Sequence, residues 1–284
     1  MSIQEPKKIY GVLGYPVKHS LSPAMHNAAF KALNINAEYK LFEVEPEELG
    51  RFFVSLRPKN IRGLNVTIPY KEKAVTYMDS ASDNARLIGA VNTVRVSEKG
   101  LEGFNTDGEG FLKHLTEDLK FDPAGKIISI IGAGGAARAV SVCLCGLIPK
   151  RLNIYDIDNL KLSTLVRQLK YNFGEVQIEQ AGSIGGLAVR ECDLLVNATP
   201  AGMNPADPCP VDEESMHPGL LVYDLVYNPQ ETKLLKLARK KGARASNGLG
   251  MLLYQGMVAF EIWTAQKPPK EIMQKALSGA LEAG

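Results

Sequence analysis

The chain has 284 residues, 45% hydrophobic and 23% charged, with a formal net charge of +2. That length is long for one core and comfortable for two, and the balance is that of a globular protein. Lys and Arg are scattered rather than massed, which excludes an electrostatic footprint for nucleic acid or an anionic membrane.

The first residues, Met1-Ser2-Ile3-Gln4-Glu5-Pro6-Lys7-Lys8, lack the apolar stretch of a secretory signal, and no apolar run reaches membrane-spanning length. A cytoplasmic protein with no membrane partner is expected. Four cysteines are too few and too irregular for a disulfide framework. Cys143 and Cys145 are two apart on a predicted helix and face different ways, while Cys192 and Cys209 stand alone. Buried reduced thiols are expected, and no metal site.

In chain order, Ile9 to Gly14 reads as a buried strand. A helix follows from Ser22 to about Leu33, with Ser22 as its N-cap and Pro23 at its first position. Tyr39 to Val44 and Ile61 to Thr67 make two more strands around a helix from Glu45 to Phe53. Val91, Val94 and Val96 with Gly100 and Gly103 predict a hairpin, and a helix from Gly108 to Leu119 follows. The alternation predicts an α/β fold with a mostly parallel sheet. A domain boundary falls near residues 105–123.

Beyond it, Lys126 to Ile131 is an apolar strand running straight into glycines. Further strands are expected at 152–156, 193–198 and 220–225. Helices are expected at 136–147, 159–171, 233–241, 250–265 and 269–281.

Strand, then Gly132-x-Gly134-x-x-Ala137, then helix is the context in which a glycine cluster holds a dinucleotide. Gly132 permits the tight turn, Gly134 lets the backbone approach a pyrophosphate, and Ala137 lets the helix press on the strand. The amides of Gly134, Gly135 and Ala136 and the helix dipole then face the phosphates. Asp156 lies 24 residues beyond Gly132, near the separation at which an acid binds the adenosine ribose hydroxyls. Its charge would repel a 2′-phosphate, and no arginine lies between Leu152 and Val166 to offset that. NAD is therefore favoured over NADP. Asp158 either shares the role or caps the helix that starts at Asn159.

In the other half, Ser20 and Ser22 flank a helix start, where hydroxyls and a positive dipole end suit a carboxylate. Lys71 follows Pro69 at the end of a strand, where an ammonium can point into a cleft. Each also has a plain explanation: Ser22 as a cap, Lys71 as a solvated lysine, Asp107 as part of an Asn-Thr-Asp-Gly turn.

Together these segments resemble a family. Gly14-Tyr15-Pro16-Val17-Lys18-His19-Ser20-Leu21-Ser22-Pro23-Ala24-Met25-His26-Asn27 is similar to the opening signature of shikimate dehydrogenases. So are Asn65-Val66-Thr67-Ile68-Pro69-Tyr70-Lys71, Gly89-Ala90-Val91-Asn92-Thr93 and Gly103-Phe104-Asn105-Thr106-Asp107. Gly132 to Ala139, Asn197 to Met203, Asp224 to Pro229 and Gly248 to Gln255 continue the resemblance in order.

The resemblance implies a substrate domain of residues 1–105 plus about 250–284, and a Rossmann-like dinucleotide-binding domain of residues 106–249, with C-terminal helices returning to the first. It implies reversible, NAD(P)-dependent hydride transfer between 3-dehydroshikimate and shikimate, in the route to chorismate and the aromatic amino acids. Lys71 and Asp107 would form the catalytic pair. Ser20 and Ser22 would grip the substrate carboxylate, Thr67, Asn92 and Gln255 its ring hydroxyls, and Tyr227 would sit nearby. Ala198, Thr199, Met203, Gly250 and Met251 would line the nicotinamide pocket. NADP-using members tend to carry Asn-Arg-Thr where this chain has Asp156-Ile157-Asp158, which agrees with the charge argument for NAD. A quinate-preferring dehydrogenase and a non-catalytic ligand sensor are the alternatives. A homodimer is compatible with the sequence, which offers no exposed apolar stripe from which to argue assembly.

Overall fold

The computed structural model describes residues 6–283. The chain divides into two compact units, Met1–Gly110 with Leu252–Gly284, and Phe111–Met251. Both are α/β.

In the first unit, the apolar run after Lys7 forms β1 (Lys8–Gly14), whose last five residues are all buried. It is followed by α1 (Ser22–Ala32), β2 (Ala37–Glu43), α2 (Leu49–Val54) and β3 (Ile61–Val66). Then come β4 (Ser80–Ala81), α3 (Asp83–Ile88), β5 (Thr93–Ser97), β6 (Gly100–Phe104) and α4 (Asp107–Lys113). The sheet order is β2-β1-β3-β5-β6-β4. β2, β1 and β3 run parallel, and the β5–β6 hairpin lies antiparallel to them. One core holds Leu13, Phe52, Phe53, Leu64 and Val94. Another cluster gathers the aromatic rings of Tyr10, His26, Phe30, Tyr39, Phe260 and Trp263, with His26 stacked on Tyr39.

In the second unit, β7 (Ile127–Ile131), α5 (Gly135–Cys145), β8 (Arg151–Tyr155), α6 (Asn159–Asn172) and β9 (Gln177–Gln180) alternate. β10 (Leu194–Asn197), β11 (Leu221–Asp224), α7 (Lys233–Lys240) and β12 (Arg244–Ser246) follow, while α8 (Leu249–Thr264), from Leu252 onward, and α9 (Lys270–Ala283) belong to the first unit. All strands of this sheet are parallel, in the order β12-β11-β10-β7-β8-β9. That is the doubly wound order, with its reversal between β7 and β10.

The structure departs from the sequence reading in small, explicable ways. Ser22 is the first residue of α1 rather than its cap; Leu21 occupies that position with no side-chain cap bond. The helix expected from Gly108 to Leu119 gives way at His114–Asp118 to a π-helical turn. There Thr116 Oγ1 donates to the Leu112 carbonyl, competing with the regular ladder. β4, β9 and β12 were not expected: each is an edge or short strand, and β9 buries only Ile178, so no alternation marks it. α3 was also missed, although Ser82 caps it through the Ala85 amide and Gly89 ends it in the left-handed region.

Cys145 and Cys192 are buried and free, and burial pushes each thiol up to about 12. Cys143 and Cys209 are only half-buried, contrary to expectation, because Cys143 lies on the outer face of α5 and Cys209 in a loop. Among the described residues no helix is long and apolar enough to cross a membrane.

Candidate active site

The topology of the first unit brings distant segments to one edge of its sheet. β1 and β3 end there, which delivers Ser20 and Ser22 after β1, and Thr67 and Lys71 after β3. β5 is antiparallel to β3, so it begins at that same edge with Asn92 just before it. β6 returns to the edge and releases Asp107. Carboxyl ends of parallel strands are where α/β sheets bind ligands.

Lys71 Nζ donates to Asp107 Oδ2 at 2.6 Å. The lysine side chain is 17% exposed and the carboxylate 6%, so the ammonium is not a freely solvated surface group. The other carboxylate oxygen, Oδ1, accepts from Asn92 Nδ2 at 2.8 Å. Asn92 Oδ1 accepts from the Thr106 amide at 2.8 Å, and a backbone amide can only donate, so the side-chain amide orientation is fixed. Gln255 Nε2 donates to the Leu252 carbonyl at 2.9 Å, which turns Oε1 toward Asn92 at 3.5 Å. Thr67 is half-buried and tied through its amide to the Leu13 carbonyl.

Ser20 is half-buried, and its Oγ accepts from the Ser22 amide at 3.3 Å. Ser22 is 4% exposed. Neither hydroxyl caps α1 in the ordinary way, so capping does not account for Ser22.

In the second unit, Gly132 has φ +116°, in the range that favours glycine, and a Cβ there would sit 3.0 Å from the Ala198 carbonyl. Gly134 precedes α5, and a Cβ there would meet nothing within 4 Å. No side chain caps α5, so the first-turn amides of Gly135 and Ala136 have no such partner. An open approach to uncapped amides fits a dinucleotide pyrophosphate. Ala198 and Thr199 follow β10 across the sheet reversal, with Asn197 Oδ1 accepting from the Thr199 amide and hydroxyl. Met203 is 58% exposed in the loop beyond.

Asp156 follows β8; its Oδ2 accepts from the Ala133 amide at 2.6 Å and Oδ1 from the Asp158 amide at 2.7 Å. The carboxylate therefore pins the glycine turn from the neighbouring strand. Asp158 caps α6 by accepting from the Leu160 and Lys161 amides. Ile157, between them, is 89% exposed. Gly250 and Met251 begin α8, where a Cβ at Gly250 would strike the His114 ring. Tyr227 lies beyond β11, and burial pushes its phenol up.

The shikimate dehydrogenase substrate binding domain matches residues 12–94, and the shikimate 5′-dehydrogenase C-terminal domain matches residues 248–277. A shikimate dehydrogenase (NADP(+)) of Methanopyrus kandleri is 46% identical over 282 residues, covering 98% of this chain and 97% of that protein. The chain belongs to the shikimate dehydrogenase family. Solved structures agree. A shikimate dehydrogenase in complex with NADP+ gives a TM-score of 0.89 at 38% identity, covering 97% of this chain and 96% of that one. The Listeria monocytogenes shikimate 5-dehydrogenase in complex with shikimate and NAD gives 0.87 at 34% identity, covering 98% of both chains.

The first unit also holds buried polar residues beyond those the sequence points to. Tyr39, Asn65, Thr93 and Thr106 are all buried and hydrogen-bonded around Asn92. None was singled out from the sequence. Asn65, Thr93 and Thr106 lie inside the family motifs, and for Asn65 and Thr93 the signal is a polar side chain in an apolar strand. Tyr39 carried no such mark, since a tyrosine in a strand is ordinary.

Proposed function

We propose that the chain is a shikimate dehydrogenase, catalysing reversible hydride transfer between a nicotinamide cofactor and C3 of 3-dehydroshikimate and shikimate in aromatic amino-acid biosynthesis. One observation carries the assignment of roles: the half-buried Lys71 ammonium lies 2.6 Å from the buried Asp107 carboxylate, which is itself held by Asn92.

When bound, the nicotinamide supplies or accepts the hydride. The work of this chain's own residues is to hold the substrate and move a proton. As the C3 ketone is reduced its oxygen gains negative charge, and Lys71 donates a proton to it. In the reverse direction the same amine takes the proton from the hydroxyl. Asp107 orients the amine and the neighbouring hydroxyl. Acid–base help of this kind is worth about 10²–10⁴ in rate, with positioning supplying the larger share. Ser20 and Ser22 hold the substrate carboxylate, and Thr67, Asn92 and Gln255 the ring hydroxyls; Tyr227 is assigned to the substrate as well. Gly132, Gly134, Gly135 and Ala136 cradle the pyrophosphate, and Ala198, Thr199, Met203, Gly250 and Met251 line the nicotinamide pocket.

NAD is the favoured cofactor. Asp156 is the second-strand acid suited to the ribose hydroxyls, Asp158 adds charge beside it, and Ile157 offers no cation to a 2′-phosphate. The M. kandleri relative carries NADP(+) in its name, so the choice is a point of difference to be measured. Initial rates with shikimate and quinate, each against NAD and NADP, test the reading. The expected result is the highest kcat/KM for shikimate with NAD. Turnover of neither acid with either cofactor, despite saturable binding, would overturn it in favour of a sensor.

A further inference from the structure

The pair of Lys71 and Asp107 stands at one end of a buried hydrogen-bond chain in which the Asn92 amide orientation is fixed and the Thr93 hydroxyl has two acceptors in reach, Asn92 Oδ1 at 3.0 Å and Thr106 Oγ1 at 3.3 Å. Asp107 Oδ1 can only accept, so Asn92 presents Nδ2 to it, at 2.8 Å. The Thr106 amide can only donate, so Asn92 Oδ1 lies on the other side. Thr93 Oγ1 approaches that oxygen at 3.0 Å and donates to it. Its lone pairs then accept from Asn65 Nδ2 at 3.1 Å, an amide also held by the Asn92 carbonyl at 3.3 Å. Asn65 Oδ1 is thereby left to accept from the Tyr39 phenol at 2.7 Å.

Every member from Tyr39 to Asp107 is at most 6% exposed, so water does not compete for these bonds. The register explains how they meet. Asn65 on β3 lies opposite Thr93 on β5, and Thr93 lies opposite Phe104 at the end of β6, just before Thr106 and Asp107. Aligned donors in a low-dielectric interior polarise one another toward the terminal acceptor, here the carboxylate.

We propose that Tyr39, Asn65 and Thr93 form a positioning relay for the catalytic pair, fixing the Asn92 amide on Asp107 and thereby the aim of the Lys71 ammonium. It rests on the roles given to Lys71 and Asp107 above. These three residues act through Asn92 and touch no substrate. Without the Thr93 donor, Asn92 Oδ1 still has the Thr106 amide and hydroxyl but loses its restraint from β5, and Asn65 Nδ2 loses one acceptor.

The test is Thr93→Val, which keeps the shape and the strand preference and removes the hydroxyl, beside Thr93→Ser, which keeps the hydroxyl. With shikimate as substrate, Thr93→Val should lower kcat about tenfold, the worth of one hydrogen bond, and leave KM within about twofold. Its solvent deuterium isotope effect on kcat should rise, because a misaimed ammonium makes proton delivery a larger share of the barrier. Thr93→Ser should restore both. A merely structural residue would change the active fraction and leave the isotope effect where it was. Should Thr93→Val fail to fold, Tyr39→Phe removes the donor at the far end, and a smaller fall in the same direction is expected. Unchanged kcat and isotope effect in whichever variant folds would overturn the relay. A parent protein without shikimate turnover would overturn the functional assignment itself, a result visible before any variant is made.

Discussion

Replacing His26 with phenylalanine should make the protein less sensitive to acid. His26 lies on α1, 0% exposed, with its ring stacked on Tyr39 at 4.4 Å between centroids and 10° between planes. Neither ring nitrogen has a hydrogen-bond partner among the described residues. Burial therefore disfavours the charged form and pulls its pKa down to about 3. In the unfolded chain the same side chain titrates near about 6.5. The folded value lies below the unfolded one, so the unfolded chain takes up the proton first. The stability tied to neutral His26 is complete above about pH 6.5 and is lost as the pH falls toward 3. Between pH 7.5 and pH 4.5 the loss through this one group is about 2.6 kcal/mol.

Phenylalanine keeps an aromatic ring against Tyr39 and has nothing to protonate. Any repacking cost is the same at both pH values and drops out of the difference. Urea titrations at pH 7.5 and 4.5, followed by tryptophan fluorescence, give the comparison. Trp263 is the sole tryptophan and lies 5.4 Å from the His26 ring in the same unit, so its signal reports the body that contains the histidine. The parent should lose about 2.6 kcal/mol more than the variant over the interval. Equal losses in the two proteins would refute the linkage of His26 to acid sensitivity.

Lys71→Ala should lower kcat by about 10²–10⁴ with a smaller change in KM for shikimate, and steady-state rates retaining most turnover would remove the lysine from the mechanism. Ile157→Arg places a cation between Asp156 and Asp158 and should raise kcat/KM for NADP relative to NAD by about tenfold, the worth of a charged hydrogen bond. An unchanged ratio would mean that residue 157 does not meet the 2′-position. Gly110→Ala would press a Cβ onto the Gln255 backbone and side chain within the first unit. Overpacking there should cost about 1–3 kcal/mol of stability and raise KM for shikimate, read by denaturation and initial rates together.

The elements most legible in advance were those whose residues leave a local signature. The apolar run of β7 into Gly132 and Gly134 identified both the strand and the turn, because only glycine sits easily at φ +116°. The hairpin of β5 and β6 was visible in its alternating valines and glycines. Short edge strands such as β9 were not, because one buried residue makes no period. Ser22 reads in sequence as either a cap or a ligand for a carboxylate, and the cap position of α1 falls instead on Leu21 with no side-chain cap bond. Asp158 had two open explanations in sequence, and the structure shows its carboxylate on the α6 amides.

By itself, the sequence determined what is encoded between near neighbours: the strand–helix alternation, the glycine cradle, the acid beyond the second nucleotide strand, and the motifs of the family. Those are properties of side-chain size, charge and backbone freedom over a few residues. Tertiary structure alone decided that Lys71 and Asp107 meet at 2.6 Å, and that Tyr39, Asn65 and Thr93 stand in line behind them. The reason is register. A polar side chain in an apolar strand acquires a direction and a partner only when neighbouring strands set their pairing, and pairing is a property of the whole sheet.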